Sequence, residues 1–173
     1  MDIEALKIAV VAFVREHQAW APFVVAALAF CESLAVISLL VPATVILLGI
    51  GGMIGGMDLS FWPIWAGAAI GAALGDWLSY EVGRYLEDSA HHVWPLRNHQ
   101  SLIAKGETFT KKYGVWAIFL GRFFGPARAF VPLVAGVFEM PRTPFQIANI
   151  TSALLWAFLM LAPGTGFGTW LRM

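Results

Sequence analysis

Six ionisable side chains stand in or beside otherwise apolar stretches of this chain: Glu32, Asp76, Glu81, Arg84, Arg122 and Arg128. A charge centred in a membrane helix costs roughly 2.5–3.5 kcal/mol on insertion scales, and less toward the surface. Glu81 and Arg84 lie near the end of their apolar stretch, where a long side chain can snorkel to water. Glu32, Asp76, Arg122 and Arg128 lie deeper. Three acids against three bases allow full mutual pairing, so a buried network that merely fixes the packing is the bland explanation. Such networks are seldom a net gain over apolar packing, which tilts the balance toward function.

The surroundings of the arginines sharpen that reading. In Gly121-Arg122-Phe123-Phe124-Gly125-Pro126-Ala127-Arg128, the pair Gly125-Pro126 separates the two guanidinium groups. A helix broken there exposes backbone N–H groups that attract anions. Guanidinium planes also match phosphate oxygens bidentately. Arg122 and Arg128 are therefore the candidate binding residues for an anionic headgroup drawn into a polar groove, its tails left in lipid. Glu32 and Asp76 are the candidate proton-coupling or ion-pair partners. A carboxyl in apolar surroundings can hold its proton near neutral pH, whereas a neighbouring arginine pushes the other way. Proton binding could thus be exchanged against arginine pairing during a transport cycle. Asp76, Tyr80 and Arg84 recur at four-residue steps and share one helix face, which makes Tyr80 and Arg84 supporting candidates.

The elements that must hold these groups follow from composition. The chain has 173 residues, 59% hydrophobic and 13% charged, with 11 basic and 11 acidic side chains. That charged fraction is about half of what soluble domains carry, and the mean hydropathy is +0.72. A soluble core of this length could not hide so much apolar surface, so lipid is the expected solvent. Zero formal net charge gives no sign of a nucleic-acid partner. The single cysteine, Cys31, excludes an internal disulfide. Asp2 and Glu4 replace the basic start of a signal peptide, and Arg15-Glu16-His17 interrupts the apolar run early.

Residues 1–18 read as an amphipathic helix on the membrane, with Ile3, Leu6, Val10, Phe13 and Val14 at three- and four-residue steps. Residues 19–57 are too long for one span, and two short spans, the alternative to a hairpin, would leave almost no polar residue for the turn between them. A helical hairpin that enters and leaves on one side fits, its tip near 38–44, where Pro42 interrupts the ladder. Residues 62–86 form the clearest span. Its row Gly67, Gly71, Gly75, Ser79, Gly83 should let another backbone approach closely. The stretch 87–112 is polar and basic, so the positive-inside rule places it in the cytoplasm. Residues 113–140 repeat the hairpin pattern, interrupted by Gly125-Pro126 and Pro132, and 144–162 form a last span. Two interrupted segments in matching positions of two halves point to a transporter built from inverted repeats.

Other chemistries are weaker. His91-His92 and His99 lie in the polar loop without a partner ligand pattern, so no metal is expected. Ser33 and Ser38 have no histidine within a believable span, and no Walker A sequence is present. The expectation is a transporter that is not an enzyme and needs no cofactor. Most of the eight tryptophans suit interfacial belts, and Lys111-Lys112 suit a topology signal.

The residues also resemble a known family. Gly71-Ala72-Ala73-Leu74-Gly75-Asp76, Tyr80 and Gly83-Arg84 are similar to the first-half signature of the DedA family of bacterial membrane proteins, which carry the SNARE-associated or VTT domain. Gly121-Arg122-Phe123, Gly125-Pro126-Ala127-Arg128 and Pro132-Leu133-Val134-Ala135-Gly136, with Met140, Phe145, Asn149 and Trp156, resemble its second half. Glu32 matches the acid opening the first re-entrant segment, with Pro42 at its break. The resemblance covers about residues 20–168 and looks most like the YabI-type branch. It implies two re-entrant hairpins facing each other from opposite leaflets, transmembrane helices around them, and an inner-membrane location. It also implies lipid movement between leaflets, including recycling of the carrier undecaprenyl phosphate, with Glu32, Asp76, Arg122 and Arg128 as the working residues and Asn149 in support. A proton-coupled small-ion or drug transporter is the alternative. Many relatives carry a second acid two residues after the hairpin proline, where this chain has Thr44. The chain stops soon after Pro163, which favours self-association into a homo-oligomer.

Overall fold

A computed structural model describes residues 8–9, 12–14, 16–34, 43–56, 60–86, 113–124 and 127–165. The described residues are all-helical, the expected class, and include no strand. Among the described residues, helices with both ends in place follow in the order α1 (Ala21–Ser33), α2 (Ala43–Gly56), α3 (Phe61–Tyr85), α4 (Val115–Gly121), α5 (Ala127–Val137) and α6 (Arg142–Leu161). Short 3-10 turns, Gln18–Trp20 and Ala162–Thr165, flank the set. Most of the first 18 residues, Pro42, Gly125, Pro126 and the loop 87–112 with its histidines lie outside the described residues.

The helix ends have local causes. Pro22 opens α1, where its missing N–H costs nothing, and the chain turns extended at Leu34. Arg84 sits in the last turn of α3, complementing the carbonyl end of the dipole. Gly114, at φ 47°, supplies the left-handed residue before α4. After α5, Met140 N–H donates to Ala135 O and Glu139 N–H to Gly136 O, both at 3.0 Å. That is a Schellman stop with Glu139, at φ 49°, in the place usually given to glycine.

Helix α3 is the central strut. Pro22, Ala26 and Phe30 of α1 face Gly67, Gly71 and Gly75 in that order, so α1 runs parallel to α3. A Cβ at Gly71 would collide with the carbonyl oxygen of Ala26, which explains the small-residue row. Ser79 Oγ closes the seam by donating to Ser33 O at 3.2 Å. Farther along, Gly83 meets Leu133 and Gly136 of α5. Helix α6 runs antiparallel to α3. Phe158 packs edge-on against Phe61, Trp65 Nε1 donates to Leu154 O at 3.0 Å, Asn149 Nδ2 donates to Ala73 O at 2.9 Å, and Phe145 stacks on Tyr80. Helix α2 lies against the far end of α6, where a side chain at Gly51 would press on Leu161.

One expectation changes. Pro132 does not break the second apolar segment: α5 continues through it. Proline removes only the hydrogen bond that would reach the Arg128 carbonyl, and transmembrane helices tolerate that when neighbours cover the site. Pro132 is fully buried. Helix α4 ends at Gly121, residues 122–124 turn away from it, and α5 begins at Ala127.

Polarity is inverted relative to a soluble domain. Glu32, Ser33, Asp76, Ser79, Arg122, Asn149 and Ser152 are buried, whereas Ile70, Leu74, Leu78 and Val82 of α3 and Ile147, Ile150 and Leu159 of α6 face outward. Among the described residues one helix, α6, is both long and apolar enough to cross a membrane. Helix α3 is longer but carries Asp76, Glu81 and Arg84.

Candidate functional site

The four deep charges meet at one place. Arg122 caps the C-terminal end of α4 and is 4% exposed. Its Nη2 donates to Asp76 Oδ2, on the middle of α3, and to Asn149 Oδ1 of α6 at 2.8 Å. Asn149 is oriented in turn by donating from Nδ2 to Ala73 O. Arg128 stands in the first turn of α5 and donates from Nη1 to Glu32 Oε1 at 3.2 Å. The carbon of its guanidinium lies 4.2 Å from the centroid of the Trp156 ring. The two arginines thus flank the α4–α5 interruption, each facing an acid from the first half of the chain.

Pairing does not use all the donors. Among the described residues, Nε and Nη1 of Arg122 and Nη2 of Arg128 are buried without a hydrogen-bond partner. A buried guanidinium N–H left unmade is costly, and these three nitrogens lack acceptors. An anion with several oxygens is the kind of group that would supply them. Charge in the cluster is otherwise balanced, two acids to two bases, and the cluster contains no nucleophile–histidine pair among the described residues.

The supporting candidates fall into two groups. Asn149 belongs to the buried cluster. Tyr80 and Arg84 do not: Tyr80 Oη donates to Met140 O, and Arg84 Nη1 donates to Tyr80 Oη at 3.1 Å. They tie the end of α3 to the turn that leads into α6. Glu81 does not pair with Arg84. Arg142 Nε and Nη2 grip its two carboxylate oxygens, each at 3.0 Å, and Trp77 Nε1 adds a bond of 3.2 Å. Arg84 reaches Glu139 at 3.7 Å. Sequence reasoning missed Arg142 and Glu139 because both lie in the polar link between apolar segments. It also gave Trp156 no role of its own; its seven-residue spacing from Asn149, two turns on one face, was the available signal.

Residues 41–166 match the family model of the VTT domain. The chain is a member of the DedA family, which carries that domain. This DedA protein is 36% identical over 152 residues to the inner membrane protein YabI of Escherichia coli, covering 88% of this chain and 60% of YabI. It is 34% identical over 152 residues to an uncharacterized membrane protein of Buchnera aphidicola, covering 88% of this chain and 59% of that one. The inner membrane protein YghB of E. coli is 31% identical over 156 residues, 87% of this chain and 68% of YghB. The chain therefore spans about 60% of the length of the first two relatives. No solved structure matches it. The DedA chain is a membrane protein, with relatives named for the bacterial inner membrane.

Proposed function

We propose that this DedA protein carries an anionic phosphate lipid between leaflets of the bacterial inner membrane, with Arg122 and Arg128 receiving the phosphate. The observation that carries the reading is the buried set of arginine N–H groups left without acceptors beside two carboxylates. The phosphate oxygens take those donors and compete with Asp76 and Glu32 for the rest. Protonation of a released carboxylate would make the exchange electrically economical, which couples transport to protons. Undecaprenyl phosphate and glycerophospholipids are the substrate class. The chain acts as a transporter and not as an enzyme.

The same reading extends to topology. Helix α1 begins beside Gly67 and ends beside Ser79, and the chain returns to α2, beside Leu161. Helix α5 meets the other end of α3 at Gly83, and α4 packs on α5 and reaches the middle of α3 through Arg122. Two re-entrant hairpins from opposite faces, related as inverted repeats, account for both sets of contacts. The chain then crosses more than once, with residues 87–112 cytoplasmic.

Leaflet exchange in proteoliposomes tests this. Labelled undecaprenyl phosphate and labelled phospholipids are followed with and without a pH gradient, beside folded Arg122→Ala and Arg128→Ala proteins. Exchange that requires both arginines supports the phosphate site. Silence for every lipid, with ion or drug flux in its place, overturns it.

A further inference from the structure

We propose that Trp156 is a positioning residue that holds the Arg128 guanidinium with Nη1 on Glu32 and Nη2 kept for the incoming anion; this rests on the phosphate reading of Arg128. An arginine on a helix has long, loose leverage, and one hydrogen bond at 3.2 Å does not fix a planar fork. The second restraint is the indole face, 4.2 Å from the guanidinium carbon. Trp156 is itself immobilised, 2% exposed within the apolar core formed with Ala153, Ala157 and Leu161. Stacking consumes no N–H group. It is the one kind of contact that can orient a guanidinium and leave its hydrogen-bonding edge untouched. The result is visible in the site: Nη1 is used by Glu32, and Nη2 is buried with no partner among the described residues.

Helix α6 therefore supports both arginines from one face, by different means. Asn149 holds Arg122 through its amide oxygen, and seven residues on Trp156 holds Arg128 through its ring. Without the ring, the guanidinium can rotate about its stem and Nη2 loses its fixed direction. The anion would then have to order the guanidinium as it binds.

Replacing the ring electronically, at constant volume, separates positioning from packing. Fluorinated tryptophans introduced at position 156 keep the shape and withdraw charge from the face. The readouts are half-saturating concentration and maximal rate for phosphatidic acid in proteoliposomes, with Trp156→Phe, Trp156→Leu and Arg128→Ala alongside. The half-saturating concentration should climb with each fluorine to about tenfold, the size of a desolvated cation–π contact, at constant maximal rate. Trp156→Phe should stay closer to the wild type than Trp156→Leu, and fluorination should have no effect in Arg128→Ala. A flat fluorine series, or one that persists without Arg128, overturns the assignment while leaving the phosphate reading intact. Wild-type behaviour of Arg128→Ala overturns both.

Discussion

Two clusters of arginine and carboxylate occupy this molecule, and they are built to opposite specifications. At the end of α3, Arg142 grips Glu81 with two parallel bonds while its side chain remains 63% exposed. In the middle of α3, Arg122 and Asp76 are almost wholly buried, yet two of the three guanidinium nitrogens have no partner among the described residues. The exposed pair is satisfied where satisfaction matters least, because water would serve equally well. The buried pair is left incomplete where incompleteness costs most. An arrangement that serves packing alone would distribute its hydrogen bonds the other way.

Breaking the central pair from one side should give the largest effect. Arg122→Ala strands Asp76 among apolar groups and should cost about 3–5 kcal/mol, read by thermal unfolding in detergent, with transport abolished. The paired replacement Arg122→Leu with Asp76→Leu sharpens the contrast: it should regain most of that stability and none of the transport. Asn149→Leu comes next. It removes the acceptor for Arg122 and the donor to Ala73 and should cost about 1–3 kcal/mol while weakening transport. Arg128→Lys keeps the charge but loses the planar fork and should lower transport about tenfold with little change in unfolding. Arg142→Gln, in the exposed cluster, should leave transport within about twofold of the wild type, and what small destabilisation it causes should vanish at high salt. Comparable losses from Arg142→Gln and Arg122→Ala would erase the distinction between the clusters.

Much of this was legible before the structure, and the reasons differ by residue. The glycine row and the stripe of Asp76, Tyr80 and Arg84 are consequences of helical period on a single element, so sequence alone places them. The buried charges announce themselves because lipid makes charge expensive. Partner choice is different. Arg122 meets Asp76 across 46 positions and Arg128 meets Glu32 across 96, and no local period selects one pairing over the other. Tyr80 and Arg84 share a face with Asp76 yet lie outside its cluster, because successive four-residue steps also climb the helix, about 6 Å each. Proline misleads for a related reason. Pro132 looks like an interruption in the sequence, but only its surroundings decide whether a lost backbone bond ends a helix.

The glycine seams along α3 carry a mechanical consequence. Side chains that interlock resist sliding, since each step requires a tooth to leave its notch. Where Gly67, Gly71 and Gly75 meet α1, and where Gly83 meets Gly136 of α5, the surfaces touch backbone to backbone and have few teeth. Shear along either contact needs no rotamer to change. Helix α3 therefore offers α1 and α5 two smooth lengths of track, and the ion pair between Glu32 and Arg128 ties those two helices across it.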